Sequence, residues 1–296
     1  MAYETVSVRQ VVRRMRGGSQ AFLIEGDDDR FYVAKFAGNP QGNRTLINEW
    51  AAHRVLQQLD ISTPDMRVLR LTSSTRGREL LSFQTGGRNT PIQGEFHLGS
   101  LCPVNPTTAA VYDFLPAKLL SKVVNLNDLG SAFVIDKWFG QTDTRQAIFV
   151  RERGSNSNLK LHLYVIDHGM SFNGDEWAVR DSAGSGLYMD RRVYPLLDME
   201  AVCEKTVSEV SALSEADLYR AIEDVPSCWF AKKDGGALAK LFDSLELRRK
   251  RLSSVISRHL DDLLGRSPAN PPVDSGLDFV KGVVPQPREV LTGAVC

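Results

Sequence analysis

Short apolar segments separated by polar turns dominate the beginning of the chain and predict strands. Apolar runs at 21–24 and 31–36 flank a Gly- and Asp-rich turn at 25–29, a pattern typical of a β-hairpin. Apolar side chains then recur at helical spacing over 46–59, which predicts an amphipathic helix closed by Pro64. The hairpin and the helix together predict a small α+β lobe.

Further strand-like runs at 66–71 and 79–83 extend this lobe, whereas the stretch 86–106, rich in Gly, Pro, Asn and Thr, predicts a connector to a second lobe. Four arginines between residues 9 and 16 predict a solvated helix face ahead of the first strand. We therefore expect a first lobe over 1–95, to which the motifs described below assign nucleotide binding.

The second half of the chain is predicted to be mainly helical. A helix at 127–139 precedes a hairpin whose strands, 147–151 and 159–166, flank a polar turn at 154–158. Beyond residue 194 the apolar spacing predicts three helices: 199–210, 215–222 and a long one at 236–264. We expect this helical lobe over 96–266 and a Pro- and Gly-rich tail over 267–296.

Composition is that of an ordinary soluble globular protein, with 42% apolar and 24% charged residues. The 36 Lys and Arg balance the 36 Asp and Glu, so no global field attracts nucleic acid or an anionic membrane. The longest apolar stretches fall far below the ~20 residues that span a bilayer. Four cysteines without CxxC spacing and the lack of a secretory segment lead us to expect a cytoplasmic protein.

Lys35 and Glu49 form the first candidate functional pair. Lys35 lies on an otherwise apolar predicted strand, so its ammonium group either reaches solvent or meets a buried acid. Glu49, on the following predicted helix, can return over that strand. A Lys–Glu pair beside a Gly-containing hairpin is the arrangement with which protein kinases hold nucleotide phosphates. The alternative is an edge-strand lysine with an unrelated surface glutamate.

Asp143 and Asp167 form the second candidate pair. Asp143 precedes the predicted hairpin and Asp167 follows its second strand, so the two carboxylates are expected to converge. Phosphoryl transfer needs one carboxylate to orient the attacking hydroxyl and another to hold magnesium. Asp143 fits the first role and Asp167 the second. Gly169 lets the backbone turn after Asp167, and His168 is assigned no role.

Weaker motifs surround these pairs. The turn Asn39-Pro40-Gln41-Gly42-Asn43 can present backbone N–H groups to phosphate, or it is a plain strand-to-helix turn. The segment 181–186, with Ser182 and Ser185, is either a substrate-binding loop or a linker. The chain has no GxGxxG, GxxxxGK[ST], HExxH or zinc-type Cys/His spacing, so Rossmann, P-loop and zinc sites find no support.

Together these motifs resemble the HipA-like kinases, in the compact branch that lacks the extra N-terminal domain of the HipA toxins. The resemblance covers about residues 20–260. It rests on YVAKF with Lys35, GNPQG, NEW with Glu49, FHLGS, DKWFGQTDTRQAIF with Asp143, IDHG with Asp167, and a final LxxRR. It implies an α+β, bilobal, protein-kinase-like fold, akin to the phosphatidylinositol kinases, with a small mainly-β N-lobe carrying one helix and a larger, mainly helical C-lobe.

The resemblance also implies ATP and Mg²⁺ in the cleft between the lobes. Lys35 would contact the ATP phosphates, Glu49 would orient Lys35, Asp143 would be the catalytic aspartate and Asp167 would bind magnesium. The expected nucleotide-binding set is Lys35, Asn39, Gln41, Gly42 and Gln146, and the expected metal ligands are Asp167 and Gln146.

One position departs from the kinase pattern. Ile148 stands five residues after Asp143, where such kinases usually carry a metal-binding Asn, and an aliphatic side chain cannot ligate magnesium. Gln146 has an amide oxygen that can substitute. We expect ATP-dependent phosphoryl transfer to Ser or Thr of a protein; the alternatives are a weak or inactive kinase fold acting as a nucleotide-binding interaction module, and a small-molecule or lipid kinase. Whether an antitoxin-like partner exists stays open.

Overall fold

The computed structural model describes residues 5–152, 159–181 and 184–266. The strands within these ranges are β1 (Thr5–Arg14), β2 (Phe22–Gly26), β3 (Phe31–Lys35), β4 (Met66–Arg70), β5 (Ser82–Thr85), β6 (Arg88–Pro91), β7 (Phe96–Leu101), β8 (Val111–Tyr112), β9 (Gln146–Arg151) and β10 (Leu161–Ile166). The helices are α1 (Arg44–Gln58), α2 (Ala117–Leu120), α3 (Asp128–Phe139), α4 (Met199–Ala212), α5 (Glu215–Arg220), α6 (Asp234–Arg249) and α7 (Leu252–Leu263). The fold is therefore α+β, with most of the strands in the first half of the chain and most of the helices in the second.

Five strands close into a barrel in the order β1, β2, β3, β7, β4. β1 runs parallel to β4, and the other neighbours are antiparallel. In β3, Tyr32 and Ala34 are buried and belong to the apolar cluster of the barrel. Because side chains alternate along a strand, Lys35 shares the opposite face with Val33, outside that cluster.

The predicted hairpin over 21–36 is confirmed by β2 and β3, and the predicted helix over 46–59 by α1. The predicted solvated helix face at residues 9–16 is wrong, because most of this segment belongs to β1. Two shifts of register in the pairing of β1 with β2 interrupt its period of two. That irregularity hides the strand in the sequence.

The predicted connector over 86–106 is also wrong, because it contains β6 and β7. β7 pairs with both β3 and β4, so the barrel continues past the expected lobe boundary at residue 95. Gly99, which suggests a break in the strand, instead lies beside Leu69 of the neighbouring strand β4: a Cβ at Gly99 would stand 2.6 Å from the Leu69 side chain. We propose that the first lobe ends after Leu101.

In the second half, α3 and the hairpin of β9 and β10 confirm the predicted elements. The long helix predicted over 236–264 is two helices, α6 and α7, separated at 250–251. The turn predicted at 154–158, Ser182 and the tail over 267–296 lie outside the described residues.

The main apolar core extends from α1 into the helical half. Leu46, Trp50 and Val55 of α1 belong to the same buried cluster as Trp138 of α3 and Trp229. The rings of Trp50 and Trp229 meet edge to face at 6.3 Å between centroids. This packing holds α1, and the Glu49 side chain that it carries, against both halves of the fold. In the part of the chain described, no helix has the length and apolarity to span a membrane.

Three buried histidines, His53, His97 and His168, make the fold sensitive to acid. Burial lowers the pKa of His53 to about 3 and that of His97 to about 4. Below pH ~6.5 these histidines bind protons in the unfolded chain but stay neutral in the folded protein. The free energy of unfolding therefore decreases as the pH falls from ~6.5 towards the pKa values of the folded state.

We expect His53→Gln to make the free energy of unfolding less dependent on pH. Between pH 5.5 and 4.5 the change in the free energy of unfolding with pH should be smaller than in the parent by about 1.4 kcal/mol per pH unit. The reason is that the unfolded variant lacks the one proton that His53 binds in the unfolded parent. Urea titrations at a series of pH values measure this slope. Equal slopes in parent and variant would show that His53 is protonated in the fold.

Candidate active site

A cleft of about 610 Å³ opens between the barrel and the helical half. Seven of the eight predicted site residues line it: Lys35, Asn39, Gln41, Glu49, Asp143, Gln146 and Asp167. Gly42 does not, because it faces the second half of the chain, where a Cβ would collide with the carboxylate of Asp175. The strand end of β3, the helix α1 and the two ends of the β9–β10 hairpin thus meet around one cavity.

Lys35 lies between two carboxylates. Its Nζ donates to Oε1 of Glu49 and, at 2.7 Å, to Oδ1 of Asp167. Glu49 is only 2% exposed and also accepts the backbone N–H of Gly169 at 2.8 Å. The alternative of an edge-strand lysine with an unrelated surface glutamate is therefore wrong. A cation from the barrel joins an acid of α1 to an acid that follows β10.

The electrostatics of this group favour the charged forms of Lys35 and Asp167. Burial opposes protonation of Lys35, but the charges of Asp167 and Glu49 outweigh it and raise the pKa of the ammonium group. The Lys35 charge, opposed by burial, lowers the pKa of Asp167 well below its usual range. Burial raises the pKa of Glu49, and the Lys35 charge acts against that shift. Asp167 thus remains an anion at neutral pH.

Asp143 lies in the loop between α3 and β9. Gly140 ends α3 in the left-handed region, at φ 64°, where a Cβ would stand 2.9 Å from the carbonyl oxygen of Arg180. The exposed Asp143 side chain accepts the backbone N–H of Thr144 at 2.8 Å. Its carbonyl group accepts the N–H of Gly186 at 2.8 Å. The loop is therefore fixed by backbone bonds while the carboxylate faces the cleft.

A buried ion pair, Arg145 with Asp136, supports this loop. Both side chains of the pair are at most 3% exposed, and Arg145 binds the Asp136 carboxylate through Nε and Nη2. Its Nη1 donates to the carbonyl oxygens of Ile166, at 2.7 Å, and Asp167, at 3.3 Å. Arg145 thereby ties the segment of Asp143 to the backbone that carries Asp167. Sequence reasoning missed this pair, because the two residues stand on a helix end and a loop with no periodic relation.

Both ring nitrogens of His168 are hydrogen-bonded within the protein, so neither is available to exchange a proton with a substrate. Its Nδ1 lies 3.1 Å from Nη1 of Arg145, which can only donate, so Nδ1 is the acceptor and Nε2–H faces Thr63 Oγ1 at 3.3 Å. Burial, with the Arg145 charge, lowers the pKa of His168 well below its ordinary value. A neutral, fully bonded imidazole is a structural group.

Gln146 and Ile148 lie where the kinase pattern is altered. The Gln146 amide nitrogen donates to Oδ2 of Asp167 at 3.0 Å, so Lys35 and Gln146 hold the two oxygens of that carboxylate. Ile148 is 8% exposed, lines the cleft and packs with Val111 and Val150. Position 148 thus forms part of an apolar wall.

A second feature missed in the sequence is the Gly-rich turn between β1 and β2. Arg16, Gly17, Gly18 and Ser19 line the cleft. The Asn39 amide group holds this turn by donating to the carbonyl oxygen of Ser19 at 2.6 Å. The adjacent Gly17 and Gly18 were its only signal, and interpreting 9–16 as a helix concealed it.

The expected presentation of N–H groups by the turn 39–43 is not observed for two of its amides. The N–H of Gln41 donates to Asn39 Oδ1 and that of Gly42 to the Asn39 carbonyl group. The N–H of Gly38, just before the turn, donates to Asn43 Oδ1. These donors are used within the turn. The turn between β1 and β2, whose Gly17 and Gly18 line the cleft, is a second backbone segment beside the cavity.

Asn48, beside Glu49, joins α1 to the segment that follows Asp167. It is fully buried, and its amide nitrogen lies 2.9 Å from each of three carbonyl oxygens, those of Gly169, Ser171 and Gly174. Its Oδ1 accepts the indole N–H of Trp177 at 2.7 Å. These bonds set the position of Glu49 relative to Asp167.

We expect Asn48→Asp to lower the free energy of unfolding by about 3 kcal/mol, because a buried carboxylate would face three carbonyl oxygens. Urea denaturation measures the loss. The same exchange at the exposed Asn127, which precedes α3, is the control and should have little effect. Equal stability of the two variants would contradict the assigned bonds of Asn48.

Solved structures share this fold. A crystal structure of the Golgi casein kinase with Mn/ADP bound aligns with a TM-score of 0.52 at 12% identity, over 88% of this chain and 74% of that chain. A second crystal structure of the Golgi casein kinase gives 0.51 at 13% identity, over 90% and 76%. The Helicobacter pylori proinflammatory kinase CtkA aligns over 84% of this chain and 94% of its own at 12% identity, with a TM-score of 0.48.

These alignments confirm the expected kinase-like α+β fold, with an N-terminal sheet, one helix and a helical C-terminal region. Comparison with curated proteins gives no match. The family described as HipA-like kinase matches residues 8–259, which is most of the chain. The resemblance seen in the motifs is thereby confirmed, and the chain belongs to the HipA-like kinase family.

Proposed function

We propose that this protein transfers the γ-phosphoryl group of ATP to a hydroxyl group, that of Ser or Thr in a protein. The observation that carries the proposal is the contact of Lys35 with both Glu49 and Asp167 in a cleft that Asp143 also lines. Phosphoryl transfer requires a lysine, an acid that orients it, an acid that binds the metal and a further acid for the acceptor hydroxyl. Family membership supports the same activity.

Each side chain has one task in this proposal. Lys35, oriented by Glu49, binds phosphate oxygens of ATP, and the turn of Gly17 and Gly18 faces the same phosphates. Asp143 accepts the hydrogen bond of the acceptor hydroxyl and directs its oxygen at the γ phosphorus. The bond between that phosphorus and the bridging oxygen of ADP breaks as the new P–O bond forms, and ADP leaves. The hydroxyl proton passes to the Asp143 carboxylate, which releases it to solvent.

The residues present fit a magnesium ion. Asp167, with a strongly lowered pKa, supplies carboxylate oxygens, and the Gln146 amide beside it can turn its own oxygen to a metal. Within the described residues no group of three or more His, Cys, Asp or Glu could hold a metal. That suits magnesium, which proteins commonly bind through one or two carboxylates and the substrate phosphates. When bound, the ion would neutralise charge on those phosphates.

A second candidate is a nucleotide-binding module with little or no turnover. Ile148 favours it, because the position that carries a metal-binding Asn in such kinases forms an apolar wall here. We propose Gln146 as the residue that supplies the missing metal ligand in the active kinase. The two candidates differ in one observable: both bind Mg·ATP, and only the kinase transfers phosphate.

The test is a transfer assay with the full purified chain. Labelled Mg·ATP is incubated with the protein alone and with a lysate as acceptor, and label is followed in proteins, lipids and small hydroxyl compounds. We expect label in protein bands and its release by treatment that cleaves phosphoserine and phosphothreonine. Nucleotide binding without transfer to any acceptor would support the inactive module, and label only in lipids or small molecules would reassign the acceptor.

A further inference from the structure

An exposed patch at the mouth of the cleft bears on the acceptor. Phe114 is 47% exposed and Met189 is 62% exposed, although both are large apolar side chains, and both line the cleft with the exposed Asp113. We call Asp113, Phe114 and Met189 the acceptor patch. Large apolar side chains that are exposed together and rimmed by polar groups are typical of binding surfaces.

Strand pairing brings the acceptor patch to Asp143. β8 runs antiparallel to β9, with Tyr112 opposite Phe149, so the residues that follow Tyr112 continue along β9 towards Gln146. Met189 follows Tyr188, which forms a parallel bridge with Arg145. Asp113 is near enough to Tyr188 for its charge to raise the pKa of that phenol, after the larger effect of burial. The patch therefore flanks the start of β9, next to the loop of Asp143.

The charges at this end of the cleft are negative. Asp113 and Asp143 both line it as exposed carboxylates. Among the described residues, the Lys and Arg side chains that line the cleft are Arg16, Lys35 and Arg145. Lys35 is held by Glu49 and Asp167, and Arg145 by Asp136. Arg16 belongs to the turn between β1 and β2, on the barrel side. A phosphorylated or acidic acceptor would meet repulsion beside Asp143, and a basic one attraction.

We propose that the acceptor is a polypeptide segment that presents Ser or Thr close to a basic side chain and an apolar one. The basic side chain meets Asp113, and the apolar one packs on Phe114 and Met189. This inference rests on the proposed function and adds the class of acceptor to it. An anionic lipid head group fits this surface poorly, because it has neither complementary charge nor an apolar side chain to bury beside its hydroxyl group.

The test compares synthetic acceptors with the full chain and Mg·ATP. One peptide carries Ser flanked by Arg and Leu; in the others, Glu replaces Arg or Ala replaces Leu. Vesicles with phosphatidylinositol 4-phosphate form a separate arm. We expect kcat/KM for the Arg/Leu peptide to exceed that of the Glu peptide by about tenfold. Asp113→Lys should remove or reverse that preference, and Phe114→Ala or Met189→Ala should reduce the advantage of Leu over Ala severalfold.

Leu247→Ala is the matched control, because Leu247 is an equally exposed apolar side chain on α6, away from the lining of the cleft. It should leave both preferences unchanged. A preference for the Glu peptide, phosphorylation of the vesicles alone, or preferences that none of the three patch variants alters would overturn the inference. Those outcomes leave ATP-dependent transfer intact, whereas the lack of ATP turnover with every acceptor would refute the proposed kinase activity itself.

Discussion

Asp143→Asn is expected to lower phosphoryl transfer by about a thousandfold while Mg·ATP still binds. The Asp143 carboxylate is exposed in the cleft, and its loop is held through the backbone, by the bond from Gly186 N–H to the Asp143 carbonyl oxygen. An amide of the same shape keeps that loop in place. It loses the negative charge that the acceptor hydroxyl needs, while Lys35 and Asp167 keep their contact.

Single-turnover transfer and nucleotide titration, measured on the same preparation, separate the two effects. Asp243→Asn, the same exchange at an exposed acid on α6, is the control and should leave transfer unchanged. Transfer at the parent rate in Asp143→Asn would remove this residue from the proposed catalytic group. Loss of binding together with transfer would assign Asp143 to nucleotide binding.

Asp136→Asn is expected to destabilise the fold by about 3–5 kcal/mol, the usual cost of leaving one member of a buried ion pair unpaired. Asp136 and Arg145 are both almost completely buried, so the variant would leave the Arg145 charge buried without its partner carboxylate. The same change should lower transfer, because Arg145 joins the loop of Asp143 to the carbonyl groups of Ile166 and Asp167. Nucleotide binding should suffer less than transfer, since Lys35 contacts Glu49 and Asp167 without Arg145.

Urea denaturation measures the change, and Glu176→Gln provides the comparison. Glu176 pairs with Arg180 at the surface, where both side chains are more than half exposed, so its loss should change stability little. Should Asp136→Asn unfold at the parent's urea concentration, the buried pair would not anchor the site as described.

The sequence was sufficient to predict that Lys35, Glu49 and Asp167 lie together in the cleft. The sequence pattern around each residue indicated its role: Lys35 stands on an apolar strand, Glu49 on the next helix and Asp167 after the hairpin. A charged residue in an apolar element needs a partner of opposite charge. Two strands of the barrel, β1 and β7, were harder to predict. Register shifts interrupt the alternation in β1, and Gly99 in β7 lacks the side chain that strand prediction depends on, because the neighbouring Leu69 leaves no room for one.

The features that were missed depend on contacts between segments far apart in the chain. The turn of Gly17 and Gly18 reaches the cleft only because β1 is a strand. Asn48 carries no sign in the sequence that its amide will meet three carbonyl groups beyond residue 168. The N–H groups of Gln41 and Gly42 were expected to be available, yet local bonds use them. Side-chain hydrogen bonding within turns decides such cases, and composition does not reveal it.

The most direct test of the Lys35–Glu49–Asp167 group is the stability of the full chain with and without Mg·ATP. A ligand that binds only the folded protein adds about 2.7 kcal/mol at a hundredfold excess over its Kd. We predict a stabilisation of that size for the parent and its near-complete loss in Asp167→Asn, with Asp243→Asn behaving like the parent. No stabilisation of the parent, or the same stabilisation in Asp167→Asn, would contradict the assignment of this cleft as a nucleotide site.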